Sequence, residues 1–245
     1  MTYCVGVLLD TGMVFLSDSR TNAGVDQVNI FRKATVFERA GERVLVLQVA
    51  GNLSVAQSVI SLLHDAIMAK EGAHLFNCLN MYEAACLVGA AVRSVQARDG
   101  EALKNFGVEF NPALILGGQI GSEPPRLFNV YAAGNFIEAT RDTTYFQIGE
   151  SKYGKPIIDR VVRRSTSIGE AVKCLLVSMD STMRSNLSVG PPLDLIIVRR
   201  DELRVARHAS IEPENAYFRS ITSGWSEALR HAFVQLPDHD WLGGR

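Results

Sequence analysis

The first residue of this chain that could carry chemistry is Thr2, which follows Met1 and precedes an apolar run. A small residue in second position lets the initiator methionine be removed, so we expect the mature chain to begin with threonine. That threonine carries a hydroxyl nucleophile and a free α-amine that acts as its own base, a recognised way to activate Thr. Many chains begin Met-Thr, so Thr2 alone does not assign a function.

An N-terminal threonine needs electrostatic help from its neighbours. Its α-amine has an ordinary pKa of about 7.7–8.0, and a nearby lysine ammonium lowers that pKa through like-charge repulsion. An aspartate would in turn hold the lysine charged and in position. The candidates are Asp18, at the end of an apolar run, and Lys33, at the start of another. A turn-capping aspartate and a solvated lysine at a strand edge explain the same residues, so spacing alone leaves both interpretations open.

The hydrophobic pattern predicts how the chain positions these residues. Residues 3–9 and 13–17 form a predicted hairpin, residues 21–29 a loop, and residues 33–38 and 44–49 a second hairpin. Apolar residues at helical spacing then predict two helices, over 56–67 and 82–98. Further strands are predicted over residues 113–116, 127–131, 136–139, 144–148, 193–198 and 203–206, with helices over 157–162, 168–179 and 226–235.

Strand blocks and helix blocks that segregate in this way favour stacked layers. We therefore expect an α+β fold of one domain across residues 1–245, with two central sheets between helix layers. The start of the helix over 168–179 is marked by Ser167 with Glu170 three residues later, the spacing of a capping box.

Composition excludes several classes of function. The formal net charge of -1 lacks the basic face that nucleic-acid binding needs. No run reaches the length of a membrane span, and the N-terminal apolar stretch is interrupted by Asp10 and Gly12, so we expect a cytoplasmic protein without a signal peptide. The four cysteines show no CxxC spacing, which predicts reduced thiols, no metal site and no cofactor.

The order of the site residues resembles that of the proteasome-type β subunits. The resemblance takes in Thr2, Asp18 within an Asp-x-Arg sequence, Lys33, Gly51, the pair Gly117-Gly118 and the tract over 131–138. More narrowly, Gly-Glu-Ser-Lys-Tyr-Gly-Lys-Pro at 149–156 and Ser-Asn-Leu-Ser-Val-Gly-Pro-Pro at 185–192 are similar to the bacterial proteasome-related group called Anbu.

This resemblance implies a four-layer αββα sandwich of the N-terminal nucleophile hydrolase type. It implies that Thr2 Oγ attacks a peptide carbonyl while the α-amine takes the proton, and that the Gly51 N–H stabilises the oxyanion. Lys33 and Asp18 would set the electrostatics. Thr21 and Asn22 match the stretch whose backbone pairs with an extended substrate in the family.

Three features depart from the family pattern. Where the typical subunit has an aspartate and a serine beside its nucleophile, this chain offers Ser185 and Ser188, so a carboxylate is missing. The serine of the family's Gly-Ser-Gly turn is replaced by Glu150, which would substitute electrostatically, contribute to substrate binding or face a neighbouring subunit. Only Met1 precedes the nucleophile, so we expect activation by an aminopeptidase and not by autolysis.

Three functions follow from these residues. The leading hypothesis is a threonine-type peptidase that acts on peptide or protein substrates within a homo-oligomer, either ring or helical. The missing carboxylate motivates a second hypothesis, an amidohydrolase that cleaves a small amide. A third is a structural subunit, which retention of Met1 would favour because the amine would then be acylated.

Overall fold

The computed structural model describes residues 1–22, 28–239 and 241. Within these ranges the chain forms twelve strands and five helices. The strands are β1 (Tyr3–Leu9), β2 (Gly12–Asp18), β3 (Arg20–Asn22), β4 (Val28–Ile30), β5 (Ala34–Arg39), β6 (Arg43–Ala50), β7 (Ala113–Ile120), β8 (Arg126–Val130), β9 (Phe136–Glu138), β10 (Tyr145–Gly149), β11 (Leu193–Arg199) and β12 (Val205–Ile211). The helices are α1 (Leu53–Ala69), α2 (Met81–Asn105), α3 (Ser151–Val161), α4 (Ile168–Ser185) and α5 (Ala216–Val234).

The strands form two five-stranded sheets and a separate hairpin. The first sheet has the order β10-β1-β2-β11-β12, the second has the order β5-β6-β7-β8-β9, and β3 pairs with β4. Every neighbouring pair is antiparallel. In the first sheet Tyr3 pairs with Gly149 and Asp18 pairs with Leu193, so the start of β1 and the ends of β10 and β2 meet at one edge.

One face of each sheet is covered by helices. On the second sheet, Leu45 and Leu47 of β6 belong to an apolar cluster with Val59 of α1 and Val88 of α2. Burial of these side chains holds the two helices against the sheet, because each contributes about 1.5–3 kcal/mol when fully removed from water.

The first sheet carries the other three helices in the same way. Val5 of β1 shares an apolar cluster with Ile158 of α3, Leu175 of α4 and Phe218 of α5. A third cluster joins residues of both sheets, among them Phe15 of β2, Val46 of β6 and Ile115 of β7. The α+β class predicted from the sequence is therefore confirmed, with antiparallel sheets and helices that pack on them.

Several predicted elements have the wrong extent. The prediction of a loop over residues 21–29 is wrong at both ends, because Arg20 pairs with Ile30 and Thr21 with Asn29. Strands of three residues are too short to show an alternating pattern. The last strand runs over Val205–Ile211 instead of 203–206, because this mostly exposed edge strand is polar. The last helix begins at Ala216, well before the predicted residue 226.

Helix caps explain two of the helix starts. The predicted capping box at Ser167 and Glu170 is confirmed, with both reciprocal hydrogen bonds present. In α5, the Asn215 side chain accepts a hydrogen bond from the Phe218 N–H, so the helix starts at a cap that the apolar pattern did not reveal.

Candidate functional site

The centre of the site is an ion pair between Asp18 and Lys33. Asp18 is the last residue of β2, and Lys33 immediately precedes β5, so the two sheets bring them together. Lys33 Nζ lies 2.6 Å from Asp18 Oδ1, and the two side chains are 5% and 0% exposed. The interpretation of these residues as a turn cap and a solvated lysine is therefore wrong, because both are buried and paired.

Asp18 accepts two further hydrogen bonds from the backbone. The Tyr3 N–H donates to Oδ1 at 2.9 Å, and the Gly190 N–H donates to Oδ2 at 3.3 Å. Burial raises the pKa of Asp18, and Lys33 together with these two N–H groups opposes that rise. The carboxyl group therefore depends on its neighbours to remain ionised inside the protein.

The Lys33 ammonium has three donors, and the structure provides an acceptor for each. Besides Asp18, it donates to the Arg20 carbonyl at 2.8 Å and to the Met1 carbonyl at 3.4 Å. The last contact matters most for chemistry, because the Met1 carbonyl belongs to the peptide bond that joins Met1 to Thr2. The lysine charge therefore contacts the peptide group that contains the nitrogen of Thr2.

Thr2 is held in place by the end of β10. The Glu150 N–H donates to the Thr2 carbonyl at 2.8 Å. Gly149 has φ +81°, and a Cβ at this position would lie 1.9 Å from the Thr2 carbonyl oxygen. Only glycine allows such a close approach with a left-handed backbone, so Gly149 is required for the position of Thr2.

A small cavity of about 160 Å³ opens beside Thr2. Its lining residues are Met1, Thr2, Thr21, Phe31, Lys33, Val49, Ala50, Gly51, Leu53 and Ala56. Gly51 has φ +99°, and a Cβ there would lie 2.3 Å from the Asn111 carbonyl oxygen. The left-handed conformation of Gly51 therefore places the backbone of this residue in the cavity wall.

The structure brings Thr2, Thr21, Lys33 and Gly51 together in the wall of this cavity. Asp18 does not line it and is joined to it through its ion pair with Lys33. Thr21 Oγ1 is buried and has no hydrogen-bond partner among the residues that the structure describes.

Other predicted site residues lie outside the cavity wall. Ser185 is exposed at the end of α4, and Ser188 is half-buried, with its N–H donating to Asn186 Oδ1 at 2.9 Å. Glu150 contacts Thr2 through its backbone, and its half-buried side chain does not line the cavity. Asn22 ends β3, and its side chain lies outside the described part of the chain.

Sequence analysis missed three contributors to the site. Arg20 and Gly190 contact the ion pair through Lys33 and Asp18 respectively, and Gly149 makes room for Thr2. Arg20 and Gly190 lie within the quoted Asp-x-Arg and Val-Gly-Pro-Pro sequences, yet a backbone contact leaves no signal in residue type.

The described residues give no indication of a metal centre or a membrane span. Across 1–22, 28–239 and 241, no group of three or more His, Cys, Asp or Glu is placed to hold a metal ion. None of the helices in those ranges combines the length and apolar character needed to cross a bilayer.

The chain is similar to several solved structures. Anbu (ancestral β-subunit) from Yersinia bercovieri is 51% identical with a TM-score of 0.91, and the match covers 97% of this chain and 99% of that one. The Anbu (Gly-1) mutant from Hyphomicrobium sp. strain MC1 is 48% identical with a TM-score of 0.92, over 98% and 100% of the two chains. The protein in the helical assembly of the Anbu complex from Pseudomonas aeruginosa is 46% identical with a TM-score of 0.92, over 99% and 100%. No protein-family model and no curated protein matches.

Proposed function

The chain belongs to the Anbu family, the bacterial proteasome-related group, and on that premise we propose that it is a threonine-type peptidase. Its nucleophile is Thr2, exposed by removal of Met1. The observation that carries the proposal is the contact between Lys33 Nζ and the Met1 carbonyl at 3.4 Å. When Met1 is removed, this acceptor leaves, and the buried ammonium then faces the new α-amine.

The proposed reaction begins with attack of Thr2 Oγ on the substrate carbonyl. The oxygen–carbon bond forms while the hydroxyl proton passes to the α-amine, whose pKa is lowered by the neighbouring Lys33 ammonium. The Gly51 N–H stabilises the oxyanion, and loss of such a donor costs about 2.7–4 kcal/mol in other hydrolases. The leaving amine takes the proton, and water then hydrolyses the acyl-enzyme.

Further residues have proposed roles around this centre. Thr21 and Asn22 present the backbone of β3 to an extended substrate, which would add as a neighbouring strand. Ser185 and Ser188 lie in the segment that leads to Gly190, whose N–H donates a hydrogen bond to Asp18 Oδ2. Glu150 secures Thr2 through its N–H.

We propose that residues 1–245 form one four-layer αββα domain of the N-terminal nucleophile hydrolase type. The three apolar clusters support this, because two join a sheet to helices and the third joins the two sheets. The homologue from Pseudomonas aeruginosa is described as a helical assembly, and we propose that this chain also assembles with copies of itself, in a ring or a helix. Electron microscopy of the purified protein tests the assembly.

The decisive test combines intact mass with an electrophilic probe. The natural protein should lack Met1, and a peptide epoxyketone should add one probe mass to Thr2. Thr2→Ala should abolish both labelling and peptide hydrolysis, whereas Thr11→Ala, at an exposed turn, should leave both unchanged. Retention of Met1, or equal hydrolysis by Thr2→Ala, contradicts the peptidase and favours a structural subunit.

A second candidate is an amidohydrolase for small amides, which the lack of a carboxylate at Ser185 and Ser188 favours. Parallel screens of peptides and small amides with the matured protein distinguish the two activities, with Thr2→Ala as the blank for each.

A further inference from the structure

Arg20 joins the ion pair to a distant segment of the chain. It is the first residue of β3, two residues after Asp18. Its side-chain Nη1 donates to the Leu187 carbonyl at 2.8 Å, and its N–H donates to the Gly190 carbonyl at 3.3 Å. The neighbouring Ser19 Oγ donates to the carbonyl of residue 192 at 2.6 Å. The short link between β2 and β3 therefore holds residues 187–192 at three points.

The guanidinium group also packs against Gly190. A Cβ at this position would lie 2.4 Å from Arg20 Cζ and 2.6 Å from Nη2. Gly190 is not among the glycines with positive φ, so its backbone conformation is open to other residues. An alanine here would therefore have to displace the end of the Arg20 side chain, although its backbone angles would be allowed.

Two further hydrogen bonds connect Gly190 and Arg20 to the Asp18–Lys33 pair. The Gly190 N–H donates to Asp18 Oδ2 at 3.3 Å, and the Arg20 carbonyl accepts from Lys33 Nζ at 2.8 Å. Displacement of Gly190 would therefore remove one of the two backbone donors of Asp18. Arg20 contacts the segment with its side chain and the lysine with its backbone, so it lies between the two.

We propose that Arg20 is a positioning residue that holds residues 187–190 against Asp18 and thereby maintains the charge state of the Asp18–Lys33 pair. The inference rests on the proposed function, because the pair matters for rate only if Thr2 is the nucleophile. The Gly190 N–H is among the groups that oppose the rise in the pKa of Asp18. Loss of this N–H would raise the pKa of Asp18 further. As the pH is lowered, Asp18 would then become protonated, and activity would be lost, at a higher pH than in the natural protein.

Hydrogen exchange measures the positioning directly, without any need for activity. In Arg20→Ala, backbone amides within 186–190 should exchange about tenfold faster. The matched control is Arg39→Ala, since Arg39 Nη1 also donates to a backbone carbonyl, that of Phe76 at 3.2 Å, away from the cavity. This control should leave the segment unchanged, and unchanged exchange in Arg20→Ala would overturn the proposal.

A second variant tests the contact from the other side. Gly190→Ala should place its methyl group on the guanidinium and increase exchange in the same segment. In an Arg20→Ala background the methyl group has room, so the second substitution should add little, and the two effects should be strongly non-additive. Additive effects would show that Arg20 and Gly190 act separately and would contradict the proposal.

The pH profile of activity distinguishes a role of Arg20 through Asp18 from a general destabilisation of the site. In Arg20→Ala the acidic limb of kcat/KM should move to higher pH, with about a tenfold loss of kcat/KM at its optimum. A uniform loss with an unmoved limb contradicts a role through Asp18. If the natural protein shows no hydrolysis, the proposed function fails, while the exchange data still decide whether Arg20 holds the segment.

Discussion

Lys33 Nζ lies 2.6 Å from Asp18 Oδ1, and both side chains are almost completely buried next to Thr2. Burial of two charges costs several kcal/mol per ion, and an apolar pair of similar volume is often as stable or more stable. Stability alone therefore does not explain why a charged pair lies here. The proposed function gives the pair a role, because the Lys33 ammonium would lower the pKa of the α-amine of Thr2 once Met1 is removed.

Removal of one partner should damage both stability and chemistry. Lys33→Met leaves Asp18 buried without its cation, so we expect a loss of about 3–5 kcal/mol in the free energy of unfolding. Labelling of Thr2 by an electrophilic probe should fall at least about a hundredfold. Urea denaturation and the rate of mass addition measure the two effects.

The double variant Asp18→Asn/Lys33→Met is the control for this prediction. It removes both charges, so much of the lost stability should return while labelling stays low. Labelling at the natural rate in the double variant would show that the pair serves folding only.

The stability of Lys33→Met should depend strongly on pH. Burial already raises the pKa of Asp18 in the folded protein, and loss of Lys33 removes an opposing contribution. When the folded pKa exceeds the unfolded one, the stabilisation is present below the unfolded pKa and is lost as pH rises through the folded pKa. The deficit of Lys33→Met relative to the natural protein should therefore shrink as pH falls from 7 towards about 4. Urea denaturation across this range tests the trend, and a constant deficit would contradict it.

Gly149→Ala should move Thr2 out of position. Its Cβ would meet the Thr2 carbonyl oxygen at 1.9 Å, so the threonine or the turn must shift. A displacement of about 1 Å at a nucleophile costs roughly a hundredfold in rate. Gly41→Ala is a matched control, because Gly41 has a similar φ of +80° but no atom within 4 Å of the added Cβ. Probe labelling should fall in the first variant and persist in the second, while both lose stability from the left-handed backbone.

The sequence predicted the long elements well. The buried strands β1, β2 and β6 and the helix α4 follow from continuous apolar runs and helical spacing. The family-like order suggested a site of Thr2, Asp18 and Lys33; the structure pairs Asp18 with Lys33 beside Thr2, and their roles in a reaction stay a prediction. Polar elements at the edge, such as β12 and the start of α5, were predicted with the wrong bounds because their stability depends on pairing and caps more than on apolar pattern.

Backbone contacts at the site could not be predicted. Gly149 and Gly190 matter because they leave room for neighbouring groups, and Arg20 matters because its carbonyl accepts a hydrogen bond from Lys33. Hydrophobic periodicity and charge reveal neither kind of contact. The positions of Ser185 and Ser188 also required the fold, because α4 ends at Ser185 with the side chain exposed. Alignment by residue type suggested that they flank the nucleophile, whereas Gly190 of the same segment makes the contact with Asp18.

Cys4 should not compete with Thr2 for an electrophile, although it lies two residues away. Its side chain is fully buried, its thiol donates to the Val49 carbonyl at 3.7 Å, and burial raises the pKa of Cys4, so the nucleophilic thiolate is scarce at neutral pH. Cys4→Ala should therefore retain probe labelling while it loses about 1 kcal/mol of stability. Peptide mapping should find the probe on Thr2, and a thiol reagent at neutral pH should modify the less buried Cys86 first. Recovery of the probe on Cys4 would contradict the assignment of Thr2 as the nucleophile.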